Sequence, residues 1–485
     1  MNEWWLKQNQ ISSTSVVTLD SVASAVDTAW VLLGAAMVFM MQTGFAMLEV
    51  GSVSIKNSKN ILIKNIGDSV LGGLAWWLIG HGLAFGKDWS GFIGVSGFAL
   101  KGEEEFGTTT GMFNAKGYAS WLFHWAFAAT STTIVSGAMA ERATFGAYAG
   151  YSILISMVIY PVVAHWVWGA DGWANPNNAN GERFLSCGVM DFAGSGVVHV
   201  TGGLSAFVGT LVLGPRAGRF NADGTANFMP AQSAVLQTLG TMLLWWGWLG
   251  FNGASVPSLV AAPAVVAKVM VITIIGGSSG AVSSLILHKM QWGWWDIGAT
   301  NNGILSGLVS ITAGCATMEP EGAFIAGAMG GILYFGSSNF LLKLRMDDVV
   351  DASPVHMFCG VWGLIAAGLF STKLGYAAAY SEELADECAG LFYGGGGRTL
   401  GANFLFALAV MAWVGLLTAV LFVTVKLTVG IRVSTEQETM GLDDSKHGGQ
   451  TYPELRGMSG VDRSSFNEGS YIGGGGSFIE TGSCG

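Results

Sequence analysis

The stretch Asp191-Phe-Ala-Gly-Ser-Gly-Val-Val-His199-Val-Thr-Gly-Gly203 places an acidic residue and a histidine at the head of an apolar run that continues to about residue 213. A polar side chain at membrane depth is costly unless it has a partner. The chain offers one. Asp351-Ala-Ser-Pro-Val-His356-Met-Phe-Cys-Gly360 repeats an upstream Asp and the pattern Val-His-x-x-x-Gly. The first copy opens the fifth apolar run and the second opens the tenth, so the two copies enter the membrane with opposite sense. That is an inverted repeat, with the pathway expected between its halves near the midplane. Imidazole is its own natural partner, one ring nitrogen donating while another accepts. An isolated histidine would read as a core residue bonded to a backbone carbonyl. Two at matched repeat positions read as a pore-lining pair.

Outward from these segments, apolar runs lie at 28–48, 60–85, 118–140, 145–168, 193–213, 232–252, 263–287, 300–317, 321–342, 354–372 and 402–428. Each approaches the roughly 20 residues a spanning helix needs, and none alternates with period two, which disfavours a barrel. The expected fold class is an all-α polytopic membrane protein with eleven transmembrane helices in an inverted five-helix pseudo-repeat. Composition agrees: 11% of the 485 residues are charged, against roughly 25% in soluble domains. The 72 glycines suit helices that approach closely in a bilayer. A net charge of -10 argues against nucleic acid as a partner. The cysteines, Cys187, Cys315, Cys359, Cys388 and Cys484, lack paired metal-site spacing, so no metal is expected. Cys187 and Cys388 fall in loops on one side of the membrane, and the sequence leaves open whether they pair. No nucleophile–base set or cofactor loop is present, so neither an enzyme nor a cofactor is expected.

Orientation follows from basic loop residues. Lys56, Lys59, Arg142, Arg216, Arg219, Lys289, Lys343 and Arg345 share the side of the C-terminus, which is therefore expected in the cytosol. Glu103, Glu104, Glu105, Asp171, Glu319, Glu382, Glu383 and Asp386 lie opposite, with the N-terminus. The N-terminal residues lack the order of a signal peptide. Among the remaining histidines, His81 and His165 are expected to make helix–helix hydrogen bonds, His288 to bond free carbonyls at a helix end, His124 to pack within span three, and His447 to lie in the tail. Asp191 reads as an N-cap that also favours a nearby cation. Glu49, Asp68 and Asp296 read as structural.

These residues bring a family into view. The Asp191–Gly203 stretch resembles the span-five signature of the ammonium transporter family, plant and algal type. Gln42-Thr-Gly-Phe-Ala-Met-Leu, Gly137-Ala-Met-Ala-Glu-Arg142, His165-Trp-Val-Trp168-Gly, Gly250-Phe-Asn-Gly-Ala-Ser255, Ile304-Leu-Ser-Gly307 and Val355-His-Met-Phe-Cys-Gly extend the likeness nearly to the tail. The resemblance implies the ammonium transporter fold as a homotrimer in the plasma membrane, with membrane lipid around it and ammonium or ammonia as substrate. It implies residues 1–27 outside, an eleven-helix transporter domain over 28–428 and a cytosolic regulatory tail over 429–485. It carries substrate recruitment to Trp168 and Ser255 with Phe123 beside them, a phenyl gate to Phe127 and Phe251, and the twin histidines to His199 and His356. Deprotonation at the outer site, then passage of ammonia plus a proton, is the expected mechanism. An ammonium sensor signalling through its tail and a neutral ammonia channel are the alternatives. In the tail, Ser445 precedes Lys446-His447-Gly448-Gly449, where plant-type relatives carry a phosphorylatable Thr. The segment is expected to dock near Lys343 and Arg345 and to answer a regulatory kinase. The other reading of Ser445 is a surface serine of no consequence.

Overall fold

The computed structural model describes residues 17–101, 106, 114–178 and 180–452. Glu103, Glu104, Glu105, Cys484, most of the 1–27 segment and the tail beyond residue 452 lie outside the described residues.

Eleven long helical rods follow the predicted runs among the described residues. They are α1 Leu19–Ser52; α2 Ser58–Ala75, continued by a π-helical turn Trp76–Gly80 and by His81–Phe85; α3 Ala115–Ala138; and α4 Phe145–Leu154, continued by Ile155–Ile159 and Tyr160–Trp168. Next come α5 Ser195–Val200, a π-helical turn that continues as Thr201–Leu213; α6 Ala234–Gly253; α7 Pro263–Trp292; and α8 Ile297–Thr312. The last are α9 Pro320–Lys343; α10 Ser353–Phe358, again π-helical, continuing as Cys359–Phe370; and α11 Arg398–Thr428. Their starts are written in the sequence. Thr18, Asn114, Thr144, Ser233 and Asp296 cap α1, α3, α4, α6 and α8 by accepting from first-turn amides. Pro263 and Pro320 stand in the first turns of α7 and α9, where a missing N–H leaves no bond unmade. Between α2 and α3 the strands Asp88–Trp89 and Ile93–Gly94 form a small antiparallel ladder.

Seven of the rods (α1, α4, α5, α7, α9, α10 and α11) are long and apolar enough to cross a membrane among the described residues. The other four are helical where spans are predicted, but α8 has only 16 residues and α3 buries a polar run, Thr130-Ser-Thr-Thr133. Outward faces are apolar rather than charged. On α11, Phe404, Leu408, Met411, Val420, Val423 and Leu427 are all exposed at helical spacing, as lipid requires and water does not favour.

The packing shows the pseudo-repeat. α1 lies along α6, and α5 crosses α10; α3 packs on α5 as α8 packs on α10. Glycine permits the tightest contacts: a Cβ on Gly307 would stand 2.1 Å from the Gly276 carbonyl oxygen, and one on Gly280 would stand 2.4 Å from that of Gly303. Cys187 and Cys388 are joined as a disulfide between the α4–α5 and α10–α11 loops.

At the opposite face the basic residues are mostly not free loop cations. Arg142 is fully buried and donates to the carbonyls of Ala138, Ala140, Gly214 and Asp347. Arg216 pairs with Asp347 and Glu141, and Arg219 with Asp347. Burial pushes the Asp347 carboxyl up, but the Arg216 bonds and charge outweigh it and hold it at about 2.

The tail docks as two short helices, α12 Thr435–Met440 and α13 Leu442–Lys446. Here the expectation is corrected. The docking partners are Lys56 and Lys59, with Asn57 and Asn60, at the mouth of α2, not Lys343 and Arg345. The reason is local: the Lys59 and Asn60 amides are free first-turn donors, and Asp443 accepts both, at 3.0 and 2.8 Å. His447 Nε2 meets Asn60 Nδ2 at 2.7 Å, and burial lowers the imidazole's pKa, which favours the neutral ring that can accept this bond.

Two further expectations change. His81 makes no hydrogen bond to a described residue and sits edge-on to Trp76 and Phe106 instead. His288 bonds no helix-end carbonyl by Nδ1 and packs against Trp292 and Trp294. His165 does bridge elements, with Nδ1 on the Ala84 carbonyl and Nε2 on Asp88.

Candidate functional site

A cavity of about 390 Å³ opens on the disulfide side, and Trp168, Ser255, Phe123 and Phe127 all line it. Trp168 ends α4. Its indole N–H donates to the Asp191 carbonyl at 3.1 Å, which fixes the ring. Gly194 makes room beneath: its φ is +101°, and a Cβ there would lie 3.1 Å from the Trp168 ring. Ser255 gives its proton to the Phe251 carbonyl at 2.8 Å, so its lone pairs remain to accept from a solute. His124, Asp27 and Lys116 also line the cavity. Sequence reading did not place them there, and His124, four residues along α3 from Lys116 twice over, is the one that helical spacing could have found.

At the floor Phe127 and Phe251 stack at 3.9 Å between centroids and 13° between planes, both 1% exposed or less. Their contact closes the way down. Immediately below, His199 lies 5.6 Å from Phe251 and is stacked on Trp248 at 5.0 Å. Trp248 was not singled out from sequence; its N–H is tied to Thr312 Oγ1 at 3.0 Å, which holds the indole as a flat wall behind His199.

His199 and His356 meet Nδ1 to Nδ1 at 3.2 Å, with rings inclined by 19°. One must donate and the other accept. Each histidine stands on a π-helical turn, a device often found at functional sites. The Val-His-x-x-x-Gly pattern now has a physical meaning. A Cβ on Gly203 would lie 2.3 Å from the Met357 amide nitrogen, and one on Gly360 would lie 2.7 Å from the Ser195 carbonyl oxygen. Each glycine, one turn past its histidine, lets the partner helix cross close enough for the rings to touch.

Asp191 Oδ2 accepts from the amides of Gly196 and Val197 at 2.9 and 2.8 Å, capping α5. Its repeat counterpart is not Asp351. Asp348 accepts from the amides of Ala352 and Ser353 and caps α10, whereas Asp351 accepts from Tyr334 and Ser338. Asp348 precedes His356 by the same interval as Asp191 precedes His199, so the signal was present in the sequence. Ser445 lies far from this file, on α13, and donates to the Gly441 carbonyl at 2.9 Å. Among the described residues no cluster of potential metal ligands occurs.

The family model described as the Ammonium Transporter Family matches residues 29–452. Ammonium transporter 1 member 3 of Solanum lycopersicum is 39% identical over 443 residues, covering 89% of this chain and 94% of that relative. Ammonium transporter 3 of Dictyostelium discoideum is 36% identical over 452 residues, covering 91% and 99%. Among solved structures, one described as a Sensor Amt Protein superposes with a TM-score of 0.79 at 31% identity, covering 88% of this chain and 100% of its own.

Proposed function

The chain belongs to the ammonium transporter family, and from that membership we propose how the file of residues from Trp168 to His356 moves its substrate. The protein is a multi-pass membrane transporter of ammonium, not an enzyme. Ammonium and potassium are close in size, so a sieve alone does not separate them. Ammonium has N–H donors and a removable proton. Trp168 offers a cation–π face and Ser255 a lone pair, with Phe123 beside them. Phe127 and Phe251 form the gate. Carrying a bare ion into such an apolar constriction costs tens of kcal/mol on Born estimates, whereas ammonia is neutral. Ammonium gives up its proton near the outer site, ammonia passes the gate, and the proton follows separately through the His199–His356 pair. Potassium cannot divide in this way. The Asp191 carboxylate, held as a helix cap, adds negative charge near the recruitment site.

The observation that carries this reading is the stacked Phe127–Phe251 pair directly above two touching imidazoles. The test is current against ammonium concentration at two external pH values, with potassium as control. Saturable ammonium current without potassium current is expected. Flux without current indicates a neutral channel, and a failure to restore ammonium uptake to a transport-deficient yeast indicates a sensor.

Several finer features belong to the same proposal. The protein sits in the plasma membrane with the N-terminus outside and the C-terminus in the cytosol. The Cys187–Cys388 disulfide supports this orientation, since such bonds persist in oxidising compartments, and it lies on the vestibule side. Three copies assemble with one pore each, and a kinase acts on Ser445.

Trp168→Leu removes the cation–π face and keeps an apolar side chain. The site is only half-buried, so the face is worth about 1 kcal/mol. The half-saturation concentration should rise about fivefold at equal surface expression. An unchanged value returns Trp168 to an ordinary interfacial aromatic.

A further inference from the structure

Below the histidines stands a carboxylate to which the transport reading gives no task. Glu49, near the inner end of α1, is 1% exposed, yet it lines the small cavity that begins at His356. The cavity holds about 10 Å³, roughly the least that admits one water-sized molecule, and ammonia is of that size. Its other walls are mostly apolar, among them Phe45, Leu48, Ile134 and Val355.

Glu49 is oriented from one side only. Oε2 accepts from Asn65 Nδ2 and from Ser136 Oγ, both at 2.7 Å. Oε1 accepts no hydrogen bond from a described residue; it lies beside Gly137, where a Cβ would stand 3.1 Å from it and 2.4 Å from a Val350 methyl. Val350 is itself a wall of the cavity. The charged neighbours behind Glu49 are Lys64, held by the Ala143 carbonyl, and Asp68, held by Tyr148. Toward the inner surface a second cavity of about 60 Å³ shares Leu48, Asn302 and Val350 with the first and adds Asp351. A glutamine carbonyl would satisfy Asn65 and Ser136 as well as a carboxylate does. Hydrogen bonding therefore does not require a charge here, but proton transfer does.

We infer that Glu49 is the inner proton acceptor of the transport cycle, the group on which the separated proton waits for ammonia. A proton leaving the His356 imidazolium converts the Glu49 carboxylate to the acid and restores neutral imidazole. The lone pair of the arriving ammonia then takes that proton: the O–H bond breaks, an N–H bond forms, the carboxylate is regenerated and ammonium leaves past Asp351. The inference rests on the charge-moving reading above.

The test compares Glu49→Gln with the unmodified full chain in liposomes, measuring ammonium-evoked current and total ammonia plus ammonium taken up. Charge moved per ammonium should fall at least about tenfold in Glu49→Gln, because general acid–base groups contribute about 10²–10⁴-fold, while ammonia uptake persists. An unchanged ratio overturns the assignment. Should Glu49→Gln fail to elute as the native assembly, infrared difference spectra on adding ammonium decide. The unmodified protein should show a buried carboxyl band that moves in Glu49→Asp, and the absence of such a band overturns the assignment. If the unmodified protein itself takes up ammonium without current, the charge-moving reading has failed. If it carries current and Glu49→Gln matches it, only the role of Glu49 has.

Discussion

Alanine in place of His199 or His356 should lower the ammonium-to-potassium selectivity of the current about 10²-fold, the smaller end of what proton-transfer groups contribute. The two rings share one Nδ1–Nδ1 contact of 3.2 Å, so removing either breaks the same contact. It also opens a space beside the remaining ring, below the Phe127–Phe251 stack, with room for a partly hydrated ion. The remaining imidazole is left with an unpartnered nitrogen in a site 3% exposed or less, which costs about 1–3 kcal/mol of stability. That is bearable for a chain whose helices cross through many other contacts, so folded protein should still reach the membrane. The two variants should behave alike, because neither ring can donate and accept for both. Ammonium and potassium currents in each variant decide the matter. Wild-type selectivity in both would remove the pair from the mechanism.

What was legible in the sequence is what local chemistry writes down. Span positions follow from apolar runs and from caps such as Asp296 and Thr144, because helix ends must satisfy their own amides. The meeting of His199 with His356 followed from a repeated pattern. The short match Asp…Val-His points to Asp351 as the counterpart of Asp191, but Asp351 accepts from Tyr334 and Ser338 instead. Asp348, at the equal interval, caps the second helix. The bond between Cys187 and Cys388, 201 residues apart, was open because sequence cannot fix connectivity across that distance. Trp248 was hidden among 19 tryptophans, most of which an aromatic belt or lipid contact explains. The basic loop residues put Arg142, Arg216 and Arg219 on one common face but do not give their duty, which is to tie three loops to Asp347 and Glu141. Long-range pairing of that kind has no local signal.

Ser445→Asp should cut the ammonium current at least about tenfold relative to Ser445→Ala at equal surface expression, through loss of tail docking. The tail is held by a short chain of polar contacts. Lys56 Nζ reaches the carbonyls of Glu438 and Thr439, Lys59 Nζ reaches that of Gly449, and Asn57 Oδ1 accepts from the Leu442 amide. Glu438 accepts from the Ala217 amide and from Arg432. At the centre, Asp443 caps α2 from outside it. This matters because α2 carries Lys64, Asn65 and Asp68, and Asn65 holds Glu49 at the inner cavity. A shift of the α2 entrance is thus mechanically linked to the small cavity at His356 that Glu49 lines. Ser445 lies in the same turn as Asp443 and Asp444, with its hydroxyl spent on the Gly441 carbonyl. Gly441 in turn packs on the Lys56 backbone, with φ +103° and a Cβ that would lie 2.8 Å from the Lys56 carbonyl oxygen. A phosphate would add about -1.5 to -2 charges beside two carboxylates, break the Gly441 bond and set repulsion against a docking worth a few charge-assisted hydrogen bonds of about 1.5–3 kcal/mol each. Ser445→Asp adds one charge of the same sign at the same place, and Ser445→Ala adds none. Limited proteolysis of the tail should accelerate in Ser445→Asp alone, which separates undocking from a simple loss of protein. Equal currents from the two variants would leave Ser445 an ordinary surface serine.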